Sequence, residues 1–202
     1  MNANVDVNPT RRTLLSRLRD LDNQGSWKEF FDTYWRLIYV TAIKSGLSDA
    51  EAEDVVQETV ISVVRKIPGF RYDPEVGSFK AWLLKLTRWR IIDQIRKRQK
   101  ALVSSMPGQT DLVERVPDQA VQSAEDNWDE EWRKNTLQVA LHRVRDQVDP
   151  RHYQVFDLYA VQNWPALRVA KALHLSVAQV YLIKHRVCRL IKREVSSLNR
   201  TA

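Results

Sequence analysis

The chain has 202 residues, 44% of them apolar and 28% charged, and carries a formal net charge of +7. That size allows one domain or two small ones, and five glycines with seven prolines are too few turn residues for a many-stranded fold. No apolar run approaches the roughly 20 residues of a membrane span, the amino-terminal residues lack a signal-peptide core, and the single cysteine, Cys188, excludes an internal disulfide or a Cys-based metal cluster.

An all-α protein of the reducing cytoplasm, without a membrane partner, is therefore expected. Its predicted elements follow in chain order. Leu14, Leu15, Leu18 and Leu21 mark a short helix before Gly25. Ser26 and Glu29 have capping-box spacing, and Trp27, Phe30, Phe31, Tyr34, Leu37, Ile38 and Thr41 predict a helix from about Trp27 to Ser45, stopped at Gly46. Ser48 and Glu51 form a second capping box. Ala52, Val56, Val60, Val63 and Ile67 then make an apolar stripe that ends at Pro68-Gly69. After the loop FRYDPEVGS, Ser78 caps a third helix with Trp82, Leu86, Trp89, Ile92 and Ile95 on its apolar side, so both tryptophans read as core.

Residues 101–131 hold eight acids against one base, together with Pro107, Gly108 and Pro117, and read as a flexible acidic linker. The fold class that results is two small helical domains, residues 10–100 and 132–202, joined by that linker. Removing the acids from the sum exposes two basic clusters: eight Lys/Arg over residues 80–100 and seven over residues 171–200. Two such clusters point to two surfaces facing nucleic acid.

Periodicity resumes with Leu137, Ala140, Leu141, Val144 and Val148, and Asp149-Pro150 has the form of an N-cap followed by a first-turn proline. The segment PALRVAKALHLSVAQVYLIKHRV then has helix-turn-helix spacing: Pro165 opens one helix, His174 takes the turn position usually given to glycine, and Ser176 with Gln179 caps the next. Ala170 is small where the two helices cross. On the last helix Val180, Ile183, Val187, Leu190 and Ile191 share one face, and Ala178, Leu182, His185 and Arg189 lie opposite, in position for a major groove. Tyr181, Arg186, Lys192 and Arg193 flank that face within reach of phosphates, and Leu182 suits a thymine methyl.

Three runs, DAEAEDVVQETVISVVRKIPGF, SFKAWLLKLTRWRIIDQIRKRQK and YQVFDLYAVQNWPALRVAKALHLSVAQVYLIKHRVCRLIKRE, together resemble bacterial RNA polymerase sigma factors of the extracytoplasmic-function (ECF) group of the sigma-70 family. The resemblance covers about residues 26–100 and 132–195. It implies a transcription initiation factor that binds core RNA polymerase at its clamp helices and flap, recognises minus-ten and minus-thirty-five promoter elements and aids promoter melting. Asp54, Gln57 and Glu58, which share one helix face at i, i+3 and i+4, would dock on the polymerase. Phe70, Arg71, Tyr72 and Phe79 would capture a flipped minus-ten base, with Arg88, Arg90, Arg96, Lys97 and Arg98 on the backbone. Ser176, Ala178, Gln179, Tyr181, Leu182, His185, Arg186 and Arg189 would meet the minus-thirty-five element. Tyr181 and Ile183 stand where the commonest family pattern has basic residues, so an unusual minus-thirty-five sequence is implied. An anti-sigma factor is a further partner class for such proteins.

An enzyme is the reading from a different class. His142, His152, His174 and His185 are scattered, His185 and Cys188 lack a third ligand nearby, and no phosphate loop, nucleophile elbow or H-E-x-x-H run occurs, so neither catalysis nor a cofactor is expected. The nearer alternative is a helix-turn-helix regulator acting without polymerase. It would ordinarily be a dimer, and no coiled-coil seam is visible.

Overall fold

Caps and apolar stripes turn this sequence into helices, and no strand occurs among the residues that the computed structural model describes, 12–70, 78–104 and 118–199. Those helices are α1 (Arg12–Arg17), α2 (Gln24–Lys44), α3 (Asp49–Lys66), α4 (Phe79–Ser104), α5 (Asp118–Gln147), α6 (Pro150–Phe156), α7 (Ala166–Leu173) and α8 (Val177–Asn199). They divide into two units, with the boundary inside α5 between Asn135 and Thr136.

In the first unit α3 packs against both α2 and α4. Its capping box forms as expected: the Glu51 N–H donates to Ser48 Oγ at 3.4 Å and the Ser48 N–H donates to Glu51 Oε2 at 2.8 Å. The chain leaves α2 through Gly46, whose φ of +84° lies in the left-handed region that glycine enters without a Cβ clash. The start of α2 differs from the expectation. Asn23 is the cap, its Oδ1 accepting from the Ser26 N–H at 3.0 Å, so Gln24 and Gly25 belong to the first turn and Ser26 is buried.

The core of this unit is aromatic at its centre. Phe79 is fully buried and meets Phe30, Tyr34, Phe70 and Trp82 at centroid distances of 6.4, 5.5, 6.1 and 5.6 Å. Around it lie Leu37, Ile38, Val55, Val63, Leu83, Ile91 and Ile95, all at most 1% exposed.

The greatest departure concerns the acidic stretch. From Asp118 onward it is helical, and Ala124, Trp128 and Trp132, spaced by one helical turn, bury in the first unit's core. Tyr34 stacks on Trp132 at 5.6 Å, and the Asn135 side-chain amide donates to the Thr33 carbonyl at 2.9 Å. The acids between them pair with cations: buried Glu131 with Lys44 at 2.8 Å, exposed Asp129 with Lys80 at 2.8 Å, and Glu125 with Arg88. The flexible-linker expectation thus fails for residues 118–131, because a tryptophan stripe outweighs acidic composition. Residues 105–117 lie outside the described set.

In the second unit Asp149 caps α6, its Oδ1 accepting from the Arg151 and His152 N–H groups at 2.8 and 3.4 Å. A π-helical turn, Asp157–Val161, follows, and then the pair α7 and α8. His174 between them has φ 52° and ψ 51°, the left-handed conformation expected for the turn. The Leu173 carbonyl at that turn accepts from Arg151 Nη2 at 2.6 Å. Val155, Val169, Ala170 and Val180 form one cluster, and Ala140, Val144, Phe156, Val187, Ile191 and Leu198 another.

Two outcomes test this packing. Trp128→Ala should lower stability by about 3–5 kcal/mol in urea unfolding, the cost of emptying a buried aromatic site, whereas a linker tryptophan would cost almost nothing. Acid should also weaken the first unit. At Glu51 and Glu131 burial pulls the carboxyl pKa upward, but bonds to Ser48 and Arg98, and to Lys44 and Lys134, outweigh it and hold both below the ordinary 4.5. The unfolded chain then takes up protons first, so the stabilisation is complete above that value and lost as pH falls through the lower folded values. Glu131→Gln should flatten the loss, measured as thermal midpoint against pH.

Candidate functional site

On the first unit Asp54 and Gln57 are exposed, and Glu58 is half-buried beside them. They are not equivalent. Glu58 Oε2 lies 3.5 Å from Arg90 Nη1, so its charge is shared with α4, whereas among the described residues Asp54 accepts from the neutral Gln94 amide at 3.0 Å and is in no ion pair. Asp54 and Gln57 also stand at the edge of a groove of about 910 Å³ between α2 and α3. Phe31, Trp35, Tyr39 and Val40 line it from α2, and Val56, Val60 and Ile61 line it from α3.

Phe31 and Trp35 are 43% and 40% exposed and stack at 6.3 Å with an interplanar angle of 13°. Two adjacent exposed aromatics on a folded unit form an apolar patch with an acidic edge. Tyr39 donates to Asp49 at 2.6 Å, and that bond is the main cause holding its phenol pKa above the ordinary value. Sequence reasoning missed this floor. The signal was a second stripe, Phe31, Trp35 and Tyr39 at i, i+4 and i+8, merged with the core stripe through Phe30 and Tyr34.

The expected minus-ten set separates into three kinds. Phe79 is corrected to a core residue: it is 0% exposed and closed in by four rings, so no base can reach it. Phe70 is half-buried on the same cluster, 4.6 Å from Trp82. Arg71 and Tyr72 lie outside the described residues.

Among the α4 cations, Lys80 pairs with Asp129, and three arginines have internal partners. Arg90 donates twice to the buried Ser62 hydroxyl, at 2.9 and 2.7 Å, and pairs with Glu58 and Asp93; Arg98 donates to the Gly46 carbonyl and Glu51, both at 3.2 Å; Arg88 pairs with Glu125. Arg96 and Lys97 are exposed and in no ion pair among the described residues. Trp82 packs on the core as expected, but Trp89 does not: it is 61% exposed, with the Lys66 ammonium 5.2 Å from its ring centroid. The buried stripe of α4 runs instead through Phe79, Leu83, Leu86, Ile91 and Ile95.

On the second unit Ala178, Tyr181, Leu182, His185, Arg186 and Arg189 are all exposed along α8, and Val180, Val187 and Ile191 are buried on the other side. Ser176 and Gln179 are exposed too, with the capping box formed between them. Lys192 and Arg193 extend the basic face. On α7, Arg168 stacks over Trp164 at 3.6 Å from the ring centroid, which fixes a guanidinium beside the turn. An exposed helix with a basic outer face can follow a phosphate backbone and carry side chains into a groove. Among the described residues no group of three or more His, Cys, Asp or Glu could hold a metal ion, and no single helix is long and apolar enough to cross a membrane.

Residues 30–101 match the sigma-70 region 2 family. The ECF RNA polymerase sigma factor SigE of Mycolicibacterium smegmatis is 29% identical over 105 residues, which are 52% of this chain and 39% of that protein. The ECF RNA polymerase sigma factor SigX of Bacillus subtilis is 25% identical over 181 residues, 87% of this chain and 86% of that one. The chain thus spans about two fifths of the first relative's length and most of the second's.

The internal role of Arg90 is testable. Arg90→Ala should cost about 1–3 kcal/mol in urea unfolding, because it leaves a buried hydroxyl and two carboxylates short of a donor, while the exposed Arg96→Ala should stay within about 0.5 kcal/mol. Equal small effects would show that Arg90 does not hold α4 to α3.

Proposed function

We propose that this chain, which matches the sigma-70 region 2 family over residues 30–101 and is similar to ECF sigma factors, is a transcription initiation factor which binds core RNA polymerase and directs it to promoters. In this reading the first unit, with the amino-terminal part of α5 packed on it, is the second-region-like part, which docks on the polymerase and handles the minus-ten element, and the second unit, from Thr136 onward, is the fourth-region-like part, which reads the minus-thirty-five element. The chain is then not an enzyme. It positions DNA for chemistry that the polymerase performs, and its work lies in the cytoplasm.

The observation that carries the reading is the α2–α3 groove, where exposed Phe31 and Trp35 lie beside Asp54 and Gln57. An apolar floor supplies affinity through desolvation, and a carboxylate edge steers and orients a basic partner, here the clamp helices of the polymerase. For the minus-ten element, Arg96 and Lys97 are exposed α4 cations in no ion pair among the described residues, so they lead the contacts assigned to this helix. On α8, His185, Arg186 and Arg189 supply phosphate and base contacts. Partial melting of the minus-ten element would follow from capture of an unstacked base near Phe70.

Co-elution with bacterial core RNA polymerase tests the proposal. The wild-type chain should form a stable complex; Asp54→Lys should abolish it and Trp35→Ala should weaken it by about 2 kcal/mol, the scale of an interface hot spot. Glu58→Lys is the less informative variant, because it sets a second cation against Arg90. No complex with the folded wild-type chain, combined with tight sequence-specific duplex binding by the chain alone, would favour an independent regulator.

A further inference from the structure

A recognition helix meets base edges chiefly through its amino-terminal half. The first two turns of α8, before Lys184, present Ala178, Gln179, Tyr181 and Leu182, none of them charged. Gln179 would be the natural partner for adenine through a bidentate amide contact, but its Oε1 accepts from the Ser176 N–H at 2.7 Å. The Ser176 hydroxyl is engaged as well, accepting from the Gln179 N–H at 3.1 Å. Both polar side chains serve the cap, and what faces outward is apolar: Ala178, Tyr181 at 51% exposure and Leu182 at 70%.

Tyr181 is also held in place. Its ring meets Tyr159 edge-on, with centroids 5.7 Å apart and an interplanar angle of 88°. Tyr159 belongs to the π-helical turn Asp157–Val161, an irregularity that shifts side-chain direction relative to an α-helix. Partial burial is the main cause that pushes the Tyr159 phenol above its ordinary pKa. An edge-on aromatic contact restricts the rotamers of an exposed tyrosine.

We propose that α8 reads thymine methyl groups: Tyr181, held by Tyr159 as a positioning residue, and Leu182 form an apolar reading edge that selects thymine at adjacent positions of the minus-thirty-five element. This deepens the minus-thirty-five reading above and rests on it. In the major groove only thymine presents a methyl group, whereas guanine is read by a bidentate arginine or lysine. Such a cation is absent from the described outward face of α8 before Lys184, so guanine has no partner across the first two turns. His185, Arg186 and Arg189 lie farther along the helix, where they take phosphates and at most one base.

The test is enrichment of random-sequence duplex by the chain assembled with core RNA polymerase, followed by replacement of each enriched thymine with deoxyuridine, which removes the methyl group alone. The expected result is thymine at two adjacent positions facing α8 and about fourfold weaker binding for each methyl removed. Leu182→Ala should erase the deoxyuridine effect at one position, and Tyr159→Leu should blunt it at the other while Tyr159→Phe largely keeps it. Leu182 is exposed, so that variant should fold normally, as circular dichroism will verify. An enriched thymine indifferent to deoxyuridine, or a guanine-dominated element, would overturn methyl reading alone. A Tyr159→Leu variant that weakens thymine and deoxyuridine duplexes equally would reduce Tyr159 to a structural residue and overturn its part. Enrichment of no sequence upstream of the start site would overturn the minus-thirty-five reading and methyl reading with it.

Discussion

Burial of one aromatic node fixes the rest of the first unit. Phe79 touches Phe30 and Tyr34 on α2, Phe70 at the end of the α3 segment and Trp82 on its own helix, and Tyr34 passes the contact on to Trp132 of α5. A buried phenylalanine contributes up to about 3 kcal/mol. The ion pairs around it, such as Lys80 with Asp129 and Lys44 with Glu131, are partly exposed and worth about 0–1 kcal/mol each. The rings therefore supply most of the stabilisation, and the charges mainly set the register at which the amino-terminal part of α5 lies on the unit.

That division of labour has a functional side. A chain of net charge +7 has cations to distribute, and in the first unit many are used internally. Arg90 and Arg98 hold α4 to α3 and to the turn before it, and Arg88 meets Glu125, so their positive charge is partly neutralised where it stands. Asp54 and Gln57 remain on the α2–α3 groove, and Arg96 and Lys97 remain on α4. In the second unit the cations of α8 are exposed instead. In the proposed reading, an acidic docking surface and basic DNA-contacting surfaces can coexist on so small a protein because internal pairing removes charges that would otherwise blur them.

Much of this was legible in the sequence where a local rule acts alone. The capping boxes at Ser48/Glu51 and Ser176/Gln179, the Asp149-Pro150 helix start, the left-handed His174 and the two faces of α8 each depend on a few adjacent residues. The failures came where two signals competed. Asn23 and Ser26 both offer a cap, and burial of Ser26 decided between them. On α4, apolar residues occur on more than one face, so Trp89 fitted a stripe that the packing did not use. Acidic composition hid the Ala124, Trp128 and Trp132 spacing, and the groove floor of Phe31 and Trp35 was hidden by the core residues next to it in sequence. Which of two stripes is buried depends on tertiary partners, and spacing alone carries no record of them.

The central claim is that this chain gives promoter selectivity to a polymerase. The measurement that meets it most directly is to map the 5′ ends of RNA made on fragmented bacterial DNA by core RNA polymerase, with and without the chain. Defined start sites that appear only when the chain is present, and share upstream sequence, are the predicted result. The same scattered ends in both reactions, with the folded chain in excess, would contradict it.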